Sequence, residues 1–583
     1  MKKKIILGLL LMLFFPFVLN AYEIEQSWQI GFGGNDMDKL EQVYQVDDEH
    51  FVAIGLTYSD NIDGIEYNSN SDAILLYYDI DGNILWKKTV STSSYDYYLS
   101  ALVDENKYIV VVGYSYYEDA FIFKYDLDGN LIWEDYWGGE DTDSFNNIYL
   151  LNDGYLIIGD TESKNIDGLE YNGSSVGRDV AIVKYDFSGN LIWQKRYGIE
   201  RLYSDIFSSH VSSNGEIVML GQVNGSNYYL TKFDRNGNVV WQNQINGLED
   251  FVFGDLIYIT DESDIFVVSG TRFNDDGEYY PNGLTDAVFM KFDKNGNKLF
   301  EKKYGGSSYD HFNKIMLAPD GNFLVMGQTD SNDIENINFK GSSDVIMVKY
   351  DREGNVLWEQ SYGTADIDRL SFASYVKDDG FLFIPETVVL YEDGEGEYHR
   401  STEDGIVQKY DKNGKLQWTK TYGGSDVDYF SGALLTKNDD LIVLCNSLST
   451  DISGISNKGN YDSVLLNFKI SYEINVFETM NGFVKSQIVN NLVLINATPD
   501  EGYEVDKIVV TDTLGNVLET SKIDDLTYSV DLYDDVKVEV LFKEKLVNPK
   551  TGVSDYIGVM FTIFIIGICA FFMIRNCNNI YDL

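Results

Sequence analysis

The chain has 583 residues, with 93 Asp and Glu against 44 Lys and Arg, a formal net charge of −49. That balance excludes a nucleic-acid binder, which needs clustered Lys and Arg facing phosphate, and it fits a soluble, self-repelling surface. Tyr (43) and Phe (33) are abundant, Pro (6) and Cys (3) are scarce, which suits many short strands and excludes disorder, a disulfide framework and Cys/His zinc spacing.

In chain order, Met1-Lys2-Lys3-Lys4, the apolar run 5–19 and Asn20-Ala21-Tyr22 have the grammar of a secretory signal over residues 1–21, cleaved between Ala21 and Tyr22. A retained N-terminal anchor is the alternative reading.

Residues 22–471 form an array. An aromatic returns every 47 to 60 residues, at Trp28, Trp86, Trp133, Trp193, Trp241, Phe300, Trp358 and Trp418. Each after Trp28 is preceded by a turn such as Tyr125-Asp126-Leu127-Asp128-Gly129-Asn130 or Tyr350-Asp351-Arg352-Glu353-Gly354-Asn355. Units of this period cannot bury their own faces alone and must stack. The unit that opens at Trp133 predicts four strands, near 131–136, 145–151, 155–160 and 180–185, each bounded by Gly, Asn or Asp. Four short antiparallel strands repeated about an axis make a blade of a β-propeller. The expected core is the large aromatic at each strand start, hiding about 150–250 Å² apiece.

The units opened by Trp86 and Trp193 lack the segment seen elsewhere as Ser59-Asp60-Asn61-Ile62-Asp63-Gly64, which marks that connection as a surface loop. The last unit ends at Leu465-Leu466-Asn467-Phe468-Lys469-Ile470 with no Asp-Gly turn and no Trp after it. The strand around Trp28 supplies what is missing, so the two chain ends should share a blade, close the ring and remove its open edge. The count is then eight blades, with seven as the alternative.

The strings Gly305-Gly306-Ser307-Ser308-Tyr309-Asp310, Asp320-Gly321, Gly327-Gln328-Thr329, and Ser343-Asp344 with Lys349-Tyr350-Asp351 resemble the bacterial β-propeller repeat known as SBBP, found in secreted and surface proteins. The resemblance covers residues 28–470 and implies architecture, not activity. The family's name implies seven blades.

Residues 472–545 break the period. Asn481-Gly482-Phe483-Val484, Ala497-Thr498-Pro499-Asp500-Glu501-Gly502-Tyr503 and the alternating run Val536 to Val540 resemble the small all-β B-repeat of internalins, which implies a spacer domain. In 546–555, Asn548-Pro549-Lys550-Thr551-Gly552 precedes an apolar stretch over 556–574 and the tail 575–583. This resembles a Gram-positive cell-wall sorting signal, which implies that a sortase cuts after Thr551 and joins it to peptidoglycan; an uncut single transmembrane helix is the alternative. Both readings place the rest of the chain outside the cell.

Asp-x-Asp-Gly strings such as Asp126 to Asn130 open like a calcium loop but lack the Glu at position twelve, so they read as turns. Acidic pairs follow the Gly-Gly turns: Asp36 and Asp38, Asp141 and Asp143, Asp366 and Asp368, Asp426 and Asp428, with the second Asp recurring as Asp96, Asp205 and Asp310. Their expected role is to tie a loop to backbone N–H groups. Calcium at the ring mouth, with Asp36, Asp38, Asp141, Asp143, Asp426 and Asp428 as ligands, is the alternative; no other cofactor is expected. The four His residues fall at unrelated phases, so no catalytic residue is assigned. The resulting expectation is a non-enzymatic surface protein that binds an extracellular protein or glycan through the variable loops 274–285 and 391–402. A glycan-active or quinoprotein-type enzyme and a structural stalk are the alternatives.

Overall fold

The computed structural model describes residues 24–545 except Glu66, 68–69, Ser93, 117–118, 170–177, 199–203, Ser213, 224–226, 246–254, 260–263, 272–284, 377–379, 393–397, Glu403, 437–439, 471–473, 478–479, 490–491, 512–516 and 532–535. The signal-cleavage residues Ala21 and Tyr22, the sorting motif Asn548 to Gly552 and the apolar stretch 556–574 therefore lie outside the described residues, as does loop 274–285 apart from Thr285. Among the described residues no helix is long and apolar enough to cross a membrane. They divide into two compact units, one reaching Glu473 and one beginning at Ile474.

The first unit is all β and propeller-like. Its described strands form eight antiparallel sheets, four strands each on the main path. Sheet 1 runs Asp38–Gln45, His50–Thr57, Asp72–Asp79 and Ile84–Val90. Sheets 2 to 7 repeat this order, starting at Asp96, Asp143, Ser204, Asp255, Asp310 and Ile367. Sheet 8 takes Asp428–Leu435, Asp440–Ser447 and Asp462–Ile470 from the end of the unit and Ile24–Phe32 from its beginning, in register from Ile24↔Ile470 to Phe32↔Ser463. The expected sharing of one sheet by both chain ends is what the register gives.

The second and third strands of each sheet read as near-continuous apolar runs because both faces are covered: His50–Thr57 is buried from Phe51 onward and Asp72–Asp79 up to Tyr78. Apolar clusters fill the gaps between neighbouring sheets, as where Phe121 and Phe123 of sheet 2 meet Val52, Ile54 and Leu75 of sheet 1. Hydrogen bonds join every sheet to the next. Gln42 donates to Leu99 O, Tyr155 to Asp104, Ser208 to Asp255, Gln328 to Asp368 O and Ser371 to Phe430 O. Tyr149 bonds Ser209, the Ile315 N–H donates to Asp255, and Ser431 of sheet 8 donates to Leu40 O of sheet 1. First strands carry a β-bulge at one repeated place (Leu40/Gln42, Tyr98/Ser100, Phe312/Lys314, Phe430/Gly432), which bends the strand nearest the axis.

Two expectations need correction. The Trp strand does not open a sheet; it is the fourth, outermost strand of the preceding one, so Leu131–Trp137 pairs with Ala120–Tyr125 in sheet 2 and not with Asp143–Leu151. The repeat read from the sequence is thus one strand out of phase with the sheets. Nor are the aromatics an enclosed core. Except for Trp418 they are half-buried, and each lies on the turn of the following sheet. Trp28 Nε1 donates to Ile80 O, Trp86 to Leu127 O, Trp133 to Phe187 O, Trp241 to Lys294 O and Trp358 to Lys412 O, at 2.9–3.2 Å. The ring covers the turn glycine itself. A Cβ on Gly189 would stand 2.6 Å from Trp133, and Gly189 has φ 87°, so only glycine fits for two reasons at once. Phe300 covers Gly354 in the same way. Sheet 8, which follows the sheet of Trp418, lacks the turn, and the buried Nε1 of Trp418 has no partner among the described residues.

The turn is rigid before any Trp reaches it. Asp126 accepts the N–H groups of Asp128 and Asn130 and the side-chain amide of Asn130, at 2.8–3.0 Å. Asp186, Asp234, Asp293 and Asp351 repeat this. Hydrogen bonds from Asn130, the amide side chain first, hold the Asp126 carboxyl below its ordinary range.

The second unit is two four-stranded sheets. One joins Ile474–Val476, Val536–Glu544, Tyr503–Thr511 and Val517–Leu518; the other joins Gly482–Val489, Leu492–Pro499, Thr527–Asp531 and Ser521–Lys522. Val493, Ile495, Ala497, Val510, Val530, Val536, Val538 and Val540 are its buried residues among those described, and the alternation from Val536 to Val540 is the one expected.

Candidate functional site

Each sheet has two ends. The Asp-x-x-Gly-Asn turns lie at one, and the Gly-Gly turns, where first strands begin, lie at the other. The Gly-Gly end is built from a repeated clasp. In sheet 1 the buried Asp38 accepts the Gly34 N–H at 2.7 Å and the Ser59 hydroxyl at 2.7 Å, while Ser59 Oγ accepts the Asp36 N–H at 2.9 Å. Asn61 Oδ1 accepts the Asn35 N–H at 2.9 Å. Asp143 with Ser163, Asp310 with Ser331 and Asp428 with Ser449 repeat the set, and Asp333 and Asp451 take the place of Asn61. The two glycines have separate reasons. A Cβ on Gly34 would meet Ser59 and Asn61, and one on Gly33 would stand 2.3 Å from Asp462 Oδ1.

The sequence pairs Asp36 with Asp38, but the fold separates them. Asp36, Asp141 and Asp426 point to solvent, whereas Asp38, Asp143 and Asp428 are buried in the clasp. The buried member faces the carboxylate that opens the third strand of the preceding sheet: Asp38 faces Asp462, and Asp368 faces Asp344. Asp462 accepts the Lys458 N–H at 2.8 Å and Asp344 the Lys340 N–H at 3.0 Å, with Gly341 adding a backbone hydrogen bond to Asp344; Oδ1 of each finds no well-formed donor among the described residues. Burial, with the neighbouring carboxylate adding to it, pushes both up to about 6. Among the described residues no three His, Cys, Asp or Glu side chains gather to share a metal ion. One assignment was a residue out. In sheet 4 Ser204 stands opposite Val223, the place of Asp38 opposite Thr57, and Asp205 takes the next position.

That next position is where the copies differ. It holds Lys39, Tyr97, Ser144, Asp205, His311, Arg369 and Tyr429, opposite Leu56, Tyr114, Asp160, Gln222, Gln328, Glu386 and Asn446 on the second strands. One shared strand register, closed by the Asp–Ser clasp in four of the sheets, therefore presents a variable side chain around the mouth of the ring. Tyr97 and Tyr114 stack at 5.1 Å, Tyr95 and Tyr116 meet edge-on at 6.4 Å, and Tyr429 lies 5.8 Å from Tyr461. Lys39 Nζ sits 4.4 Å above the Tyr461 ring. Burial, with Glu41 and Glu386 nearby, pushes Tyr429 up to about 12, and burial beside Arg369 holds His311 below its ordinary value. The strand Phe381–Glu392 runs four residues past its last partner on the first strand and turns back as Tyr398–Thr402, a hairpin that projects from this end. The described parts of loop 391–402, residues 391–392 and 398–402, thus belong to the mouth side, although the side chains of Tyr398, His399 and Arg400 are not among those described.

The sequence signal that was missed is the Thr-x-Ser string at Thr57-Tyr58-Ser59, Thr161-Glu162-Ser163 and Thr329-Asp330-Ser331, present only where the connection is long. It marks the clasp.

No family model matches the chain. The "Regulatory protein FlaEY" of Caulobacter vibrioides is 29% identical over 178 residues, covering 27% of this chain and 18% of that protein, so the chain spans under a fifth of that relative's length. Among solved structures, Sqt1 from Chaetomium thermophilum is 10% identical with a TM-score of 0.45, over 77% of this chain and 100% of that one. The WD40 domain of SCAP from fission yeast is 11% identical with a TM-score of 0.38, over 77% and 98%.

Proposed function

We propose that this is a non-enzymatic binding protein of the cell exterior, an eight-bladed propeller that holds an extracellular protein or glycan at the Gly-Gly mouth. On this reading residues 472–545 are a spacer, Ala21 and Tyr22 flank signal cleavage, and Asn548 to Gly552 deliver Thr551 to a sortase and peptidoglycan. The observation that carries the reading is the variable position set at one shared strand register: a scaffold repeated around a ring, differing where solvent meets the mouth, is the arrangement of a recognition surface.

The test is the purified full chain on protein and glycan arrays, beside the Tyr97→Ala/Tyr429→Ala variant with an unchanged melting profile. Ligand capture lost in the variant supports the reading. Capture that survives in the variant, or no capture by the folded chain, overturns it. Mass spectrometry of wall fragments, looking for Thr551 at the end of a peptidoglycan-linked peptide, tests attachment separately.

A further inference from the structure

We propose that the partner taken at this mouth is cationic, a Lys- or Arg-rich segment of another protein; this rests on the binding function proposed above and narrows its ligand. The aromatic pairs carry the inference. Lys39 lies 4.4 Å from the Tyr461 ring centre and 5.6 Å from that of Tyr429, so the chain already seats one alkylammonium on this surface. Ring faces attract such cations through their quadrupole. Tyr95 and Tyr116 form a further pair, 41% and 40% exposed, with ring area open to an incoming side chain.

The surrounding charge is complementary. Asp36, Asp60, Glu140, Asp141, Asp426 and Asp451 are exposed on the Gly-Gly turns and the loops docked against them. Of the cations described on the same turns and loops, Lys164, Lys340 and Lys458 are exposed, whereas Lys39 lies over its rings, Arg178 pairs with Glu162 at 3.2 Å and Arg369 is half-buried. The opposite end is the one with the Asp-x-x-Gly-Asn turns. There the turn aspartates are saturated by N–H donors, and the repeated lysines are tied to acids, as Lys184 to Asp153 at 2.7 Å and Lys349 to Asp320 at 2.6 Å. An acidic rim around aromatic faces steers a basic segment inward and holds it there.

The experiment measures binding of a twelve-residue Lys-Gly repeat peptide, and of the same peptide with every lysine acetylated, to the full chain at low and physiological salt. Three folded variants are compared: the rim variant Asp36→Asn/Asp141→Asn/Asp426→Asn, the opposite-end control Asp81→Asn/Asp128→Asn/Glu353→Gln with the same change in charge, and Tyr95→Leu/Tyr116→Leu. The expected result is a loss of tenfold or more in affinity for the rim variant and fivefold for the tyrosine variant, less than twofold for the control, and no binding of the acetylated peptide. Equal losses in rim and control variants would mean diffuse attraction to an acidic protein and would overturn the inference, as would undiminished binding of the acetylated peptide. If the mouth captures a neutral glycan or an acidic protein, and Tyr97→Ala/Tyr429→Ala abolishes that, the binding function stands and the cationic partner falls.

Discussion

Ser331 donates to Asp310 and accepts the Ser308 N–H, so one hydroxyl closes both halves of a clasp. Removing it strands the Ser308 N–H and takes one of two donors from a buried carboxylate oxygen, which keeps the Gly306 N–H. Ser331→Ala should therefore cost about 1–3 kcal/mol, read by chemical denaturation, with no change in denaturant slope. Trp133 is a second single-residue dependency, since its ring covers Gly189 and its Nε1 caps Phe187 O. Trp133→Ala should cost about 2–4 kcal/mol, less than for a fully enclosed indole because the ring is half-buried, and Trp133→Phe should recover most of it. The aromatic positions and the turn glycines were legible because residue type encodes them directly: a φ of 77–87° at Gly82, Gly129 and Gly189 favours glycine over other residues. The serine of the clasp was not, because Asp38 and Ser59 meet only after a hairpin has folded them together. Asp205 was misplaced for a related reason. Its turn has Gly198 without a second glycine, so nothing in the string fixes the count to the first strand.

At the scale of elements, the strands were visible and their grouping was not. Leu131–Trp137 follows its turn closely enough to look like the start of a unit, and only hydrogen-bond pairing assigns it to the sheet before. The joints between sheets carry the pH behaviour. Asp344 and Asp462 have folded values raised to about 6 from an ordinary carboxylate value of 3.8, so the folded state holds their protons more tightly than the unfolded chain does. Their contribution to stability is complete below the unfolded value and is lost as pH rises through about 6. Melting temperature should accordingly fall between pH 4 and pH 6.5 and level off above. Asp344→Asn/Asp462→Asn should flatten that slope and raise the melting temperature at pH 7, because an amide keeps the backbone bond and removes the like-charge contact. A steeper slope in the variant would contradict the assignment.

For the whole first unit, closure depends on nine residues from its beginning. Ile24–Phe32 completes sheet 8, and Trp28 spans from it to the turn of sheet 1 through Ile80. Deleting 24–32 should leave Asp462–Ile470 as an open edge, lower the melting temperature by about 10 °C or more, and bring concentration-dependent association visible by size-exclusion chromatography. Loss of Trp28 alone should be milder, since the ladder from Ile24↔Ile470 to Phe32↔Ser463 remains.

That ladder also sets how the molecule answers a mechanical load. The chain leaves sheet 8 at Ile470, at the end away from the mouth, through a strand bonded on one side to Asp440–Ser447 and on the other to Ile24–Phe32. Tension between that exit and a handle fixed at the Gly-Gly end runs along the strand, so both ladders are sheared together instead of being peeled bond by bond. Single-molecule pulling in this direction should give a high rupture force, and pulling from Ile24 alone, which is flanked on one side only, a much lower one.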